Sequence, residues 1–112
     1  MLKLWLALGV WMMAGLDATG TWTIELDPDF SGHQSTAACT FKQEGRKLTG
    51  SCGDETPVMG EVDERRVRWT LKTGTQHDVT ATFTAVLDER GATMQGTWSL
   101  DQRTGNFEAR KQ

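Results

Sequence analysis

The chain has 112 residues, 24% of them charged, and a formal net charge of −3. That length leaves no room for a second independent domain, and the acidic balance lacks the basic footprint with which nucleic-acid binders displace counterions. With 38% hydrophobic residues and only 2 prolines, the composition is that of a folded domain with a modest core rather than of a disordered chain.

Lys3 precedes an uncharged apolar run from Leu4 to Leu16, and polar, Thr-rich sequence follows directly. This is the pattern of a secretory signal peptide. The run is shorter than the roughly 20 apolar residues that a spanning helix needs. Ala18 is the small residue best placed for cleavage, so residues 1–18 are read as the signal peptide and residues 19–112 as one domain. A cut elsewhere between Ala14 and Ala18 is the alternative. The mature protein is expected to be secreted or periplasmic, with no integral membrane segment.

From Gly20 onward the sequence alternates apolar and polar residues with period 2 and shows no helical periodicity. Eight strands are predicted, at 20–26, 35–44, 47–53, 57–63, 66–72, 78–87, 92–100 and 106–111. Short connections join them in the manner of an antiparallel meander. The second and third strands carry the two cysteines, Cys39 and Cys52. If Gly45-Arg46 is a two-residue hairpin loop, Glu44 pairs with Lys47 and counting outward puts Cys39 opposite Cys52. Alternation makes that a non-hydrogen-bonded pair, where side chains approach most closely. Export would supply the oxidising environment in which a disulfide persists, contributing on the order of 3 kcal/mol; two buried free thiols are the alternative.

One strand face is apolar throughout. It carries Trp22, Ile24, Leu26, Ala37, Cys39, Phe41, Leu48, Cys52, Val58, Val62, Val67, Trp69, Leu71, Val79, Ala81, Phe83, Ala85, Leu87, Met94, Trp98, Leu100, Phe107 and Ala109, whereas the other carries Thr, Lys, Arg, Glu, Gln, Asp and Ser. Eight strands, each with one dry and one wet face, are satisfied most economically by a sheet closed around its dry side. The expected fold is therefore all-β, an eight-stranded antiparallel up-and-down barrel, with a two-sheet sandwich as the alternative. An outer-membrane barrel would present the opposite polarity. Counting along the hairpins places Gly60 opposite Trp69, Gly50 opposite Phe41 or Gly60, and Ala109 opposite Trp98, so that small residues face large ones.

Gly20-Thr21-Trp22 at the start of the first strand, with Arg110-Lys111 at the end of the last, resembles the calycins: lipocalins, fatty-acid-binding proteins and avidins. The resemblance implies a lipocalin-like barrel in which Trp22 plugs the closed end and Arg110 or Lys111 covers it. The chain also looks like small exported bacterial lipocalin-like proteins of no assigned function, which share the Gly-Thr-Trp start and Leu-Thr-Gly hairpins, here Leu48-Thr49-Gly50. A second resemblance, carried by the same Gly-x-Trp start and a single disulfide, is to bacterial inhibitors of secreted metalloproteases. Those inhibitors reach into the protease with a segment ahead of the first strand.

In a meander the connections alternate between two rims. Tight turns at 44–47, 63–66 and 88–91 mark the closed rim, whereas longer loops are expected around 27–34, 53–56, 73–77 and 101–105 at an open rim. The open rim gathers Asp27, Asp29, Asp54, Glu55, Asp78 and Asp101 with His33 and His77. Without His-x-His or His-x-x-x-His spacing, these residues are read as turn formers rather than as metal ligands, and no cofactor is expected. No nucleophile, base and orienter can be assembled, so the chain is read as non-enzymatic. Space near the open end, among Leu26, Trp69, Leu71, Trp98 and Leu100 with Phe30 in the longest loop as a lid, is the expected site for a small apolar or amphiphilic ligand. No polar anchor is expected inside. The alternative function is an interaction or protease-inhibitor-like module that meets another exported protein.

Overall fold

The computed structural model describes residues 17–112 apart from Asp54, Thr75 and His77. Residues 1–16, with the apolar run from Leu4 to Leu16 expected to form most of the leader, lie outside the described residues. Eight strands form: β1 (Gly20–Asp27), β2 (Ser35–Glu44), β3 (Lys47–Cys52), β4 (Thr56–Asp63), β5 (Arg66–Thr73), β6 (Val79–Leu87), β7 (Thr93–Leu100) and β8 (Arg103–Lys111). Among the described residues there is no helix. Each strand pairs antiparallel with its sequence neighbours, and β1 closes on β8. The sheet is an up-and-down barrel and leaves no edge, which removes the sandwich alternative.

The period-2 pattern turns one side of every strand inward. Apart from Ala18, every buried hydrophobic residue lies on the face expected to be dry, and no polar or charged side chain is buried among the described residues. The hairpin count holds at its most demanding point. Glu44 pairs with Lys47 and Cys39 with Cys52, whose Cα atoms are 4.0 Å apart and whose sulfurs are bonded. The neighbouring Gly53 N–H donates to the Ala38 carbonyl at 2.9 Å, which leaves the cysteines as the non-hydrogen-bonded pair. Gly50 faces Phe41 and Gly60 faces Trp69. A Cβ on Gly60 would stand 2.0 Å from the Arg68 carbonyl oxygen and 2.8 Å from the Trp69 Cβ, so the close strand approach beside Trp69 requires glycine.

The count fails at the last hairpin. β8 begins at Arg103 rather than at 106, because Leu100 pairs with Arg103 across a two-residue turn with Asp101 at φ 54°. The expected long loop at 101–105 is therefore a tight turn. Trp98 consequently faces Gly105, and Ala109 faces Met94. Gly105 serves as a seat for the indole: a Cβ there would lie 2.5 Å from Trp98 Nε1.

The opposite end is closed by Trp22. Its ring is fully buried, and its indole N–H donates to the Ala18 carbonyl at 2.9 Å. Of the two basic residues offered by the calycin resemblance, Lys111 is the cover. It pairs with Trp22 across β1 and β8, its Nζ lies 5.4 Å from the Trp22 ring centroid, and it donates to the Asp17 carbonyl at 3.0 Å. Arg110, one position away and of opposite parity, is exposed. Ala18, assigned from the sequence to the leader, is itself wholly buried, and its amide donates to Gln43 Oε1 at 2.9 Å. Residues 17–19 are thus tied back onto the barrel.

A chain beginning at Thr19 lacks the acceptor for a buried indole N–H that a chain beginning at Asp17 retains. It should unfold in urea with a stability lower by about 1–3 kcal/mol. Equal midpoints for the two chains would contradict the role given to Ala18.

Candidate ligand-binding site

An aromatic cluster crosses the middle of the barrel. Trp69 stacks on Phe83 with centroids 5.0 Å apart and ring planes 6° from parallel. Phe41 packs at 4.9 Å with its ring tilted by 54°, and Phe107 stands edge-on at 5.5 Å. Toward the closed end the interior is filled by Leu48, Val62, Val67, Leu87, Met94 and Trp22, all buried. Toward the open end a cavity of about 290 Å³ remains. Its wall is formed by Ile24, Leu26, Ala37, Cys39, Cys52, Leu71, Trp69 and Phe83, and Gly53, Thr56, Lys72, Thr73 and Phe30 complete the lining. The cavity therefore opens between the ends of β1, β3 and β5 and the beginnings of β2 and β4.

The other half of the mouth is covered by the 28–34 segment. Phe30 meets Trp98 edge-on at 5.0 Å and Phe83 at 6.1 Å. The Trp98 indole N–H donates to the Pro28 carbonyl at 2.8 Å, and the Arg103 guanidinium donates to the Phe30 carbonyl. Within the segment, Asp29 Oδ1 accepts from the Ser31 amide at 2.9 Å, the Ser31 hydroxyl at 2.8 Å and the His33 amide at 3.0 Å. The His33 amide, followed by the Ser31 hydroxyl, holds the Asp29 carboxyl well below the ordinary aspartate value. Asp29 is a turn former, as the composition of the rim implied.

The residues expected to contact a ligand divide accordingly. Leu26, Phe30, Trp69 and Leu71 are brought together in the cavity lining. Trp98 and Leu100 are buried and lie outside it, with Trp98 beneath Phe30. The disulfide belongs to the wall, which the sequence placed on the dry face without linking it to the site. Thr56, Lys72 and Thr73 supply polar atoms at the mouth, and Lys72 Nζ donates to the Thr80 hydroxyl at 2.8 Å.

The indole N–H of Trp69 is closed off from solvent within the aromatic cluster. Trp22 and Trp98 have backbone acceptors, whereas Trp69 Nε1 is buried with no hydrogen-bond partner, the only such side-chain atom among the described residues. An unpaired buried donor costs about 1–3 kcal/mol. No group of three or more His, Cys, Asp or Glu side chains placed to hold a metal occurs among the described residues. His77 and Asp54, named with His33 for the open rim, lie outside them.

The fold has solved counterparts. A redesigned β-barrel, mFAP1, determined bound to DFHBI, superposes with a TM-score of 0.61 at 14% identity, covering 90% of this chain and 99% of that one. A second redesigned β-barrel matches with a TM-score of 0.59 at 14% identity over 90% of this chain and 95% of its own. At that identity the likeness is one of fold. Neither a family model nor a curated protein sequence matches the chain.

Because the hydrogen bonds that depress Asp29 form only in the folded loop, their contribution is complete above the ordinary aspartate value of 3.8 and is lost as the pH falls through the lower folded value. The Asp29 carboxyl carbon should titrate by NMR with a midpoint below 3.8. A midpoint at or above the ordinary value would contradict the loop geometry.

Proposed function

We propose that the protein is an exported, non-enzymatic barrel that binds one compact apolar or amphiphilic molecule through its open end. The observation that carries this reading is the cavity of about 290 Å³ above Trp69, walled by apolar side chains. Its size is close to the lower limit of small-molecule sites, and its lining has their composition: hydrophobic walls with a few polar groups at defined places. A cavity this small suits a ligand of one or two rings or a short acyl chain rather than a large lipid. The binding of DFHBI by mFAP1 supports the reading, since a β-barrel that superposes on this chain holds that molecule.

Export is supported by two independent features, the apolar run ahead of Asp17 and the disulfide between Cys39 and Cys52, because such bonds persist in oxidising compartments. A non-enzymatic role is supported by the lining, where Cys39 and Cys52 are joined in the disulfide and Lys72 is engaged with Thr80.

Titration with the two-ring fluorophore 6-propionyl-2-(dimethylamino)naphthalene should give a saturable one-to-one rise in probe emission with quenching of tryptophan fluorescence. Ala37→Phe places a ring in the cavity at a partly buried position. It should weaken the probe at least tenfold while leaving the unfolding free energy from urea titration within about 1 kcal/mol of the parent. Absence of saturable binding by the parent protein, or equal binding by the variant, would remove the ligand-binding reading.

A further inference from the structure

We propose that Cys52 is a modification site for compact, apolar thiols: a thiol that enters the cavity attacks Cys52 Sγ in the disulfide of its wall and stays attached there. The proposal uses the cavity of the ligand-binding reading and goes beyond it, since it assigns covalent chemistry to a named atom.

The disulfide is reached from inside the barrel. Cys39 and Cys52 lie opposite each other on the inner face of β2 and β3, their side chains pack with the core, and both line the cavity. From outside, the ladder covers them. The Gly53 N–H donates to the Ala38 carbonyl on one side of the pair, and Thr40 pairs with Ser51 on the other.

The two sulfurs are not equivalent. Exchange brings the attacking sulfur in line with the bond that breaks, so each cysteine is open to attack from the side away from its partner, and access on that side decides which one reacts. For Cys39 that side is β1, where its neighbour is the wholly buried Trp22, and Cys39 itself is 3% exposed. For Cys52 it is β4, where its neighbour is Thr56, a half-buried residue of the cavity lining, and Cys52 is itself half-buried. A thiolate that enters over Thr56 therefore meets Cys52 Sγ.

The entering sulfur bonds to Cys52 Sγ, the Cys39–Cys52 bond breaks, and its electron pair leaves on Cys39 Sγ, which takes up the proton that the thiol had given to water. One disulfide and one thiol become one mixed disulfide and one thiol, with no external oxidant or reductant. The cavity sets the class of thiol. A thiolate expelled among apolar side chains is costly, so Cys39 tends to re-form the original bond, and an adduct persists where burial of the entering molecule's apolar body offsets that cost. The apolar walls favour a body of one or two rings over a charged peptide thiol such as glutathione.

The folded parent protein is incubated with phenylmethanethiol or with glutathione, alkyl thiols of comparable acidity. Samples are quenched in acid at early times, free thiols are blocked with N-ethylmaleimide in denaturant at mildly acidic pH, and the sites are read by peptide mass spectrometry. The phenylmethyl adduct is expected on Cys52 with maleimide on Cys39, forming roughly tenfold faster than any glutathione adduct. The rate should stay level in urea below the unfolding transition, as attack on the native state requires. It should fall roughly tenfold when the naphthalene fluorophore is present at about ten times its dissociation constant. Adduct on Cys39, equal rates for the two thiols, a rate that climbs steeply with urea, or no adduct at all would overturn the proposal. Fluorophore binding that leaves the exchange rate unchanged would overturn it too, with ligand binding left standing. A Cys52 adduct in a protein that binds no fluorophore would support the proposal while removing the ligand-binding reading.

Discussion

The stack of Trp69 on Phe83 divides the barrel into two unlike halves. Below it, branched aliphatic side chains and Trp22 fill the interior to the closed rim. Above it the interior is lined by residues that leave space across the axis, Ala37, Cys39 and Cys52 on one side and Leu71 on the other. Eight strands enclose a lumen that side chains can just fill or that can just admit a small molecule. The side chains at each level decide which outcome holds. Gly60 permits this arrangement, because only a residue without Cβ leaves space for the Trp69 backbone against β4.

The two ends are held by different devices. At the closed end the chain ahead of β1 folds under Trp22, where Ala18 and Asp17 present carbonyls to an indole N–H and to Lys111. For the described residues 17–19, this binding back onto the barrel differs from the free reaching segment that the protease-inhibitor resemblance implies. At the open end the 28–34 segment is anchored on β7 and β8 through Trp98 and Arg103, and stiffened internally by Asp29. One-sided anchoring explains why the cavity lies off the axis, toward β1 to β5.

Much of this was legible in the sequence. Strict alternation gave strand number, face and closure, because a one-residue slip would turn a whole apolar face outward. The Gly45-Arg46 turn set the register that brought Cys39 to Cys52. The final hairpin was misread because Asp101-Gln102 lacks the Asn-Gly or Gly-x signature of a two-residue turn, and because Gly105 looks like a loop residue while its lack of a side chain in fact seats Trp98. That slip paired Trp98 with Ala109. Two further features had no local signal. Ala18 resembles a cleavage-site residue in composition, and its burial depends on strands far away in sequence. The cavity wall at Cys39, Ala37 and Phe83 follows from the level each residue occupies along the barrel axis, which strand periodicity does not report. The unpaired N–H of Trp69 is likewise a property of what surrounds the ring.

The central claim is that the interior is packed solid on one side of Trp69 and holds apolar space on the other. Crystals of the protein under xenon pressure test it directly, since apolar cavities stay dry and take up the gas. A single xenon peak bounded by Leu26, Leu71 and Trp69, with none between Trp69 and Trp22, is the predicted result. Xenon in the closed half, or a collapsed open half with Phe30 packed down onto Trp69 and no peak at all, would contradict it.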